Sequence, residues 1–164
     1  MFDNDGMKNL EKYMIYWIVF SLLTAGVVDM FDINLSETYW SLYLQKNIPA
    51  INKLNTSSKY PEFAITLWTV FWTVGPVYII SLLLFFKDSV IKKITTKLIV
   101  GIFMMLLVSI VQIYFGIYTS LPDKSSGSMS QFLHLTYAGN IIDAILGWVL
   151  LISGIIPFIN LFKK

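Results

Sequence analysis

The chain has no cysteine, no arginine and one histidine, His134. Without cysteine there is no disulfide, no thiolate metal site and no quinone-linked thiol chemistry. A lone histidine excludes haem ligation by a histidine pair. The missing arginine excludes an arginine-rich voltage sensor. Charge is scarce too. Ionisable Asp, Glu and Lys make up 13% of the 164 residues, about half the share usual in soluble domains. What is present is apolar: 56% of residues are hydrophobic, 16% are aromatic, and the mean hydropathy is +0.68. A surface of that composition is not mostly water-facing, so the sequence predicts one domain, residues 1–164, embedded in a bilayer. The excess of lysine over arginine, with many Ile and Asn, fits an AT-rich gene.

A spanning helix takes about 20 mostly apolar residues. Phe63 to Phe86 and Leu98 to Tyr118 are free of charge, and Ala138 to Phe162 carries only Asp143. The first run, Tyr13 to Val28, is shorter, and reaches Phe31 if Asp29 turns to the headgroups. The expectation is an all-α, polytopic membrane four-helix bundle with spans at about 13–31, 63–86, 98–118 and 138–162. Thr24-Ala25-Gly26 offers the small residues of a signal-peptidase site. The preceding Asp3, Asp5 and Glu11 do not make a basic leader, so an uncleaved helix is the preferred reading.

Lysine placement orients the spans. Eight lysines (8, 12, 87, 92, 93, 97, 163, 164) fall on the side of both termini, against Lys46, Lys53, Lys59 and Lys124 on the other. Both termini are therefore expected in the cytoplasm, leaving residues 29–62 and 119–137 outside. Within the first outer segment, SETYWSLYLQK (Ser36 to Lys46) opens on a candidate N-cap serine and gathers Tyr39, Trp40 and Tyr43. Tyr and Trp favour the membrane interface, so this stretch reads as a short helix lying on the outer leaflet. A loop packed on the bundle end is the alternative. The second segment, SLPDKSSGSMSQ, is turn-like.

Each span carries small or polar residues at steps of three and four: Ser21 and Thr24; Thr66, Thr69, Thr73 and Pro76; Ser109, Gln112 and Gly116; Asn140, Asp143, Gly147 and Gly154. That spacing places each set on one helix side, the usual contact surface between membrane helices. Under the expected orientation Thr66, Thr69, Gln112, Asn140 and Asp143 all fall in the outer half, which predicts one polar cluster near the outer surface. Asp143 costs about 2.5–3.5 kcal/mol at a helix centre, while the apolar residues of its span return roughly 4–8 kcal/mol. An acid within a span is a functional candidate by default; a structural bond to Gln112, Asn140 or a threonine hydroxyl is the equal alternative. His134 has no second ligand nearby and reads as interfacial packing. Trp68 and Trp72 read as core or lipid contacts, and Pro76 and Pro157 as kinks.

There is no phosphate-binding glycine loop, no HExxH and no nucleophile elbow, and no base accompanies the buried acid. Catalysis is not expected, nor is secondary transport by a chain too short for two inverted repeats. A homo-oligomeric channel stays open. The layout is a first helix, a long outer loop, a tight lysine-rich inner hairpin, a smaller outer loop and a last helix ending PFINLFKK (Pro157 to Lys164), with SSKYPEF (Ser57 to Phe63) leading into the second helix. In these features the chain resembles the four-helix inner-membrane immunity proteins of the colicin A type. The resemblance covers the whole chain as architecture and rests on those two stretches as sequence. It implies a bacterial inner-membrane protein that meets a pore-forming toxin domain within the bilayer and blocks channel opening. It implies no cofactor, no nucleic acid and no small-molecule substrate. The residues placed toward such a partner are Tyr39, Trp40, Tyr43, Thr66, Thr69, Gln112, Asn140 and Asp143. The rival readings are an accessory subunit of a larger membrane complex and an entry or superinfection exclusion protein.

Overall fold

The computed structural model describes residues 3–86, 90–91, 93–116, 132–133 and 136–161. His134, the stretch 117–131, Lys87, Lys92 and the tail 162–164 lie outside the described residues. The described chain is all-helical, and its helices are α1 (Asn4–Met30), α2 (Tyr39–Asn47), α3 (Pro49–Ser57), α4 (Pro61–Phe85), α5 (Thr96–Ile110) and α6 (Tyr137–Asn160). A π-helical turn, Val111–Phe115, extends α5. Four helices are long and apolar enough to cross a membrane: α1, α4, α5 with its π-turn, and α6.

Local chemistry explains where these helices start. Asp3, Thr38, Thr95 and Thr136 are N-caps whose side-chain oxygens accept an early backbone N–H, the standard satisfaction of a helix start. Thr38 rather than Ser36 begins the helix of that segment. Ser36 instead bonds Asn34 through both its N–H and its hydroxyl, which consumes it in the preceding turn. The run does not continue as one helix, because Pro49 forces the residue before it into extended backbone. Ile48, at φ −118° and ψ 103°, is at once the C-cap of α2 and the N-cap of α3. The apolar run also understated the first helix, which begins at Asn4 rather than near Tyr13. Charge ends an apolar run but does not end a helix.

Hydrogen bonds fix which ends meet. At one pole, Asp3 N–H donates to Val90 C=O at 2.9 Å, and Val90 N–H donates to Asn160 Oδ1 at 3.1 Å. The start of α1, the α4–α5 connection and the end of α6 are thus joined. At the other pole, Ser58 donates to Asn140 Oδ1 at 2.9 Å, and Lys53 Nζ donates to Phe115 C=O at 2.8 Å. Between the poles the Tyr78 hydroxyl donates to Tyr13 C=O at 2.7 Å, which runs α4 antiparallel to α1.

The core is aromatic. Trp17 packs against Tyr78, Phe71 and Trp148 with centroids 5.2 to 5.7 Å apart, within the favourable range for ring pairs. Trp68 joins this core, and Trp72 meets Trp148 edge to face. Gly75 makes this possible: a Cβ there would overlap the Trp148 six-membered ring. Meanwhile Leu23, Met30, Leu84 and Phe85 point outward, each at least 66% exposed, and Ser21, Thr66, Ser109, Gln112 and Asp143 are buried. A water-soluble domain distributes these classes the other way round. Polar inside and apolar outside is the arrangement that lipid favours.

Candidate functional site

The polar residues expected to form one cluster form two. The first is a threonine ladder on α4 that receives the segment from Leu35 to Ser41. Leu35 N–H donates to Thr66 Oγ at 3.0 Å, the hydroxyls of Ser41 and Thr69 lie 3.0 Å apart, and the Trp40 indole donates to Thr73 Oγ at 2.9 Å. Steps of three and four on α4 thus meet a turn and the first turn of α2. Thr66 and Thr69 are buried and bonded to this segment, so they hold α2 in place. Trp40 stacks on Tyr43 at 5.4 Å with ring planes 12° apart. Tyr39, at 87% exposed, with Trp40 and Tyr43 about half exposed, leaves α2 with an uncovered aromatic face. Ser41 and Leu44 face inward.

The second cluster lies between the π-turn and α6. Gln112 Nε2 donates to Asp143 Oδ1 at 2.8 Å, and both side chains are at most 1% exposed. The other carboxylate oxygen, Oδ2, is buried and has no hydrogen-bond partner among the described residues. Asn140, one turn before Asp143, bonds away from it: its Oδ1 accepts from Ser58 and its Nδ2 donates to Thr136 C=O. Of the three kinds of partner foreseen for Asp143, only Gln112 bonds it. The threonines sit on a different interface.

Helix geometry explains why Gln112 reaches. The π-turn widens the last turn of α5 and ends at Gly116, whose φ of 64° is left-handed and suits glycine. Lys53 of α3 covers the terminal carbonyl of Phe115. Short π segments inside α-helices recur at functional sites. Gly147, one turn after Asp143, lets the π-turn approach, since a Cβ there would press on Ile113 and Gln112. Ser57 Oγ, at the same pole, is also buried without a partner among the described residues. Among the described residues no group of three or more His, Asp or Glu side chains is placed to hold a metal ion.

Sequence reasoning passed over Trp17 and Tyr78, which anchor the aromatic core. Their signal was present in the period: Trp17, Ser21, Ala25 and Val28 recur at one-turn spacing and all are buried. It also passed over α3, whose Ala50, Ile51 and Leu54 are buried against the rest. No family model, no curated protein and no solved structure matches the chain.

Proposed function

We propose that this chain is an immunity protein of the bacterial inner membrane, which binds the pore-forming domain of a cognate bacteriocin inside the bilayer and prevents channel opening. In this reading the four long helices form a bundle that spans the membrane with both termini in the cytoplasm. The chain acts by binding, without catalysis or cofactor. The observation that carries the reading is the Gln112–Asp143 pair. A buried carboxylate with one oxygen unpartnered, on an apolar helix, is a costly feature. It is retained with advantage if a partner supplies the missing donor. An apolar toxin helix carrying one matched donor would be distinguished from one lacking it, because the mismatch leaves a desolvated polar group unpaired.

Oδ2 is covered in the free chain, so engagement requires the π-turn to open away from α6. Its left-handed end at Gly116 is where such a movement would hinge. The aromatic face of α2 would make the first contact at the outer surface, ahead of the buried pair. The test is to sequence the DNA flanking its gene, express the chain in a sensitive bacterium and challenge it with pore-forming bacteriocins, any encoded in that flanking DNA included. Survival supports the reading, and killing at the rate of cells without the chain contradicts it.

The exposed rings of Tyr39, Trp40 and Tyr43 also suit a permanent neighbour, which favours the accessory-subunit reading as the second choice. That reading predicts stoichiometric copurification with one large membrane protein in the absence of any toxin. Immunity predicts a chain that is stable alone.

A further inference from the structure

A groove of about 370 Å³ lies between α1 and α5, at the pole where α1 begins and α6 ends. Its size falls within the roughly 300–1,000 Å³ of ordinary ligand sites. From α1 come Met7, Leu10 and Met14, spaced so that they share one helix face. From α5 come Gly101, Ile102 and Met105, and Pro157 of α6 lies beneath. Gly101 leaves the groove open, since a Cβ there would meet nothing within 4 Å.

Ser153 of α6 aside, the lining of this groove is apolar but for one charged residue. It is Lys97, in the first turn of α5 and exposed. No ion pair to Lys97 forms among the described residues. Asp5 and Glu11 of α1 line a separate surface pocket with Lys8 and Lys12 and are not among the residues lining this groove. The start of α5 adds a partial positive charge of its own. A largely apolar slot on a membrane helix pair, lined by a cation with no ion pair among the described residues, is complementary to one kind of molecule. It needs a long apolar tail and an anionic head.

We propose that this groove holds an anionic phospholipid, with its phosphate on Lys97 and an acyl chain laid between the methionines of α1 and α5. Methionine suits such an occupant, because its unbranched thioether adapts to a flexible chain. The site does not depend on the toxin reading and would serve any function of this membrane protein by holding α1 and α5 on α6.

The probe is native mass spectrometry of the full chain in mild detergent, titrated with phosphatidylglycerol or with phosphatidylcholine of the same acyl chains. The expected result is a preference for phosphatidylglycerol of about fivefold, the attraction one lysine contributes toward an anionic lipid. Lys97→Gln should remove the preference and Lys97→Arg should keep it. Gly101→Leu, which fills the groove, should lower retention of both lipids. Because Lys97 is exposed, the Gln and Arg variants are read even if Gly101→Leu does not fold. Equal retention of the two lipids by the unaltered chain means ordinary lipid contact only and overturns the proposal. So does a preference that survives Lys97→Gln, or a groove filled by a second copy of the chain, seen as a dimer that excludes lipid.

Discussion

Gln112 donates to Asp143 across the contact between the π-turn of α5 and helix α6, at 2.8 Å, and leaves the second carboxylate oxygen of Asp143 without a partner among the described residues. The bond satisfies half of a buried acid. Packing and the proposed recognition would make different demands on the same side chain, and substitutions separate them.

Asp143→Asn keeps a carbonyl oxygen for Gln112 but puts an N–H₂ donor in place of the acceptor oxygen Oδ2. We expect unchanged membrane levels and a loss of protection of about tenfold, the size of one mismatched hydrogen bond. Asp143→Leu removes the acceptor altogether, which should cost about 1–3 kcal/mol of stability. Immunoblotting of membranes beside a killing titration separates the two. Loss of the Asn variant from the membrane would make the residue purely structural.

Gly75 and Gly26 should respond oppositely to the same change. Alanine is the better helix former by up to about 1 kcal/mol, and Gly26 has open space for the methyl. Gly26→Ala should be neutral or stabilising. At Gly75 the methyl would collide with the Trp148 ring, an overpacking that costs about 1–3 kcal/mol. Thermal unfolding in detergent, followed by tryptophan fluorescence, should show the Gly75 variant melting well below the Gly26 variant.

The threonine ladder predicts a local effect. Thr66→Val removes the acceptor of Leu35 N–H, and Thr69→Val removes the partner of Ser41. The double variant should keep its four long helices but loosen α2. Hydrogen exchange of backbone amides in Tyr39–Asn47 should speed up about tenfold, equivalent to roughly 1.4 kcal/mol of lost docking. Unchanged exchange there would show that burial of Leu44, rather than the ladder, holds the helix down.

The lysine distribution predicts where the C-terminus lies. A reporter fused after Lys164 should read cytoplasmic. A periplasmic readout would overturn the proposed topology.

The long helices were legible because apolar runs and steps of three and four speak directly to lipid exposure and helix contact. Asp143 and Gln112 share a bond as one of the foreseen alternatives, since each lies on the small and polar side of its helix. The rest depended on which helix faces which. Nothing in the period of Thr66 and Thr69 separates them from Gln112 or Asp143, so only packing could assign them to Leu35 and Ser41. The helix break at Ile48 was readable from Pro49 alone. The π-turn was not, because no residue in Val111–Phe115 requires it; Gly116 and the approach of Gly147 reveal it only once α5 and α6 are side by side.

The most direct test of the account is potassium release from intact cells. Cells with and without the chain would be exposed to a panel of pore-forming bacteriocins, any encoded in the DNA flanking its gene included, and extracellular potassium followed over time. If the chain blocks the inserted pore, toxin still binds the cells but potassium stays inside. If potassium escapes from both at the same rate while the chain is present in the membrane, the account is wrong.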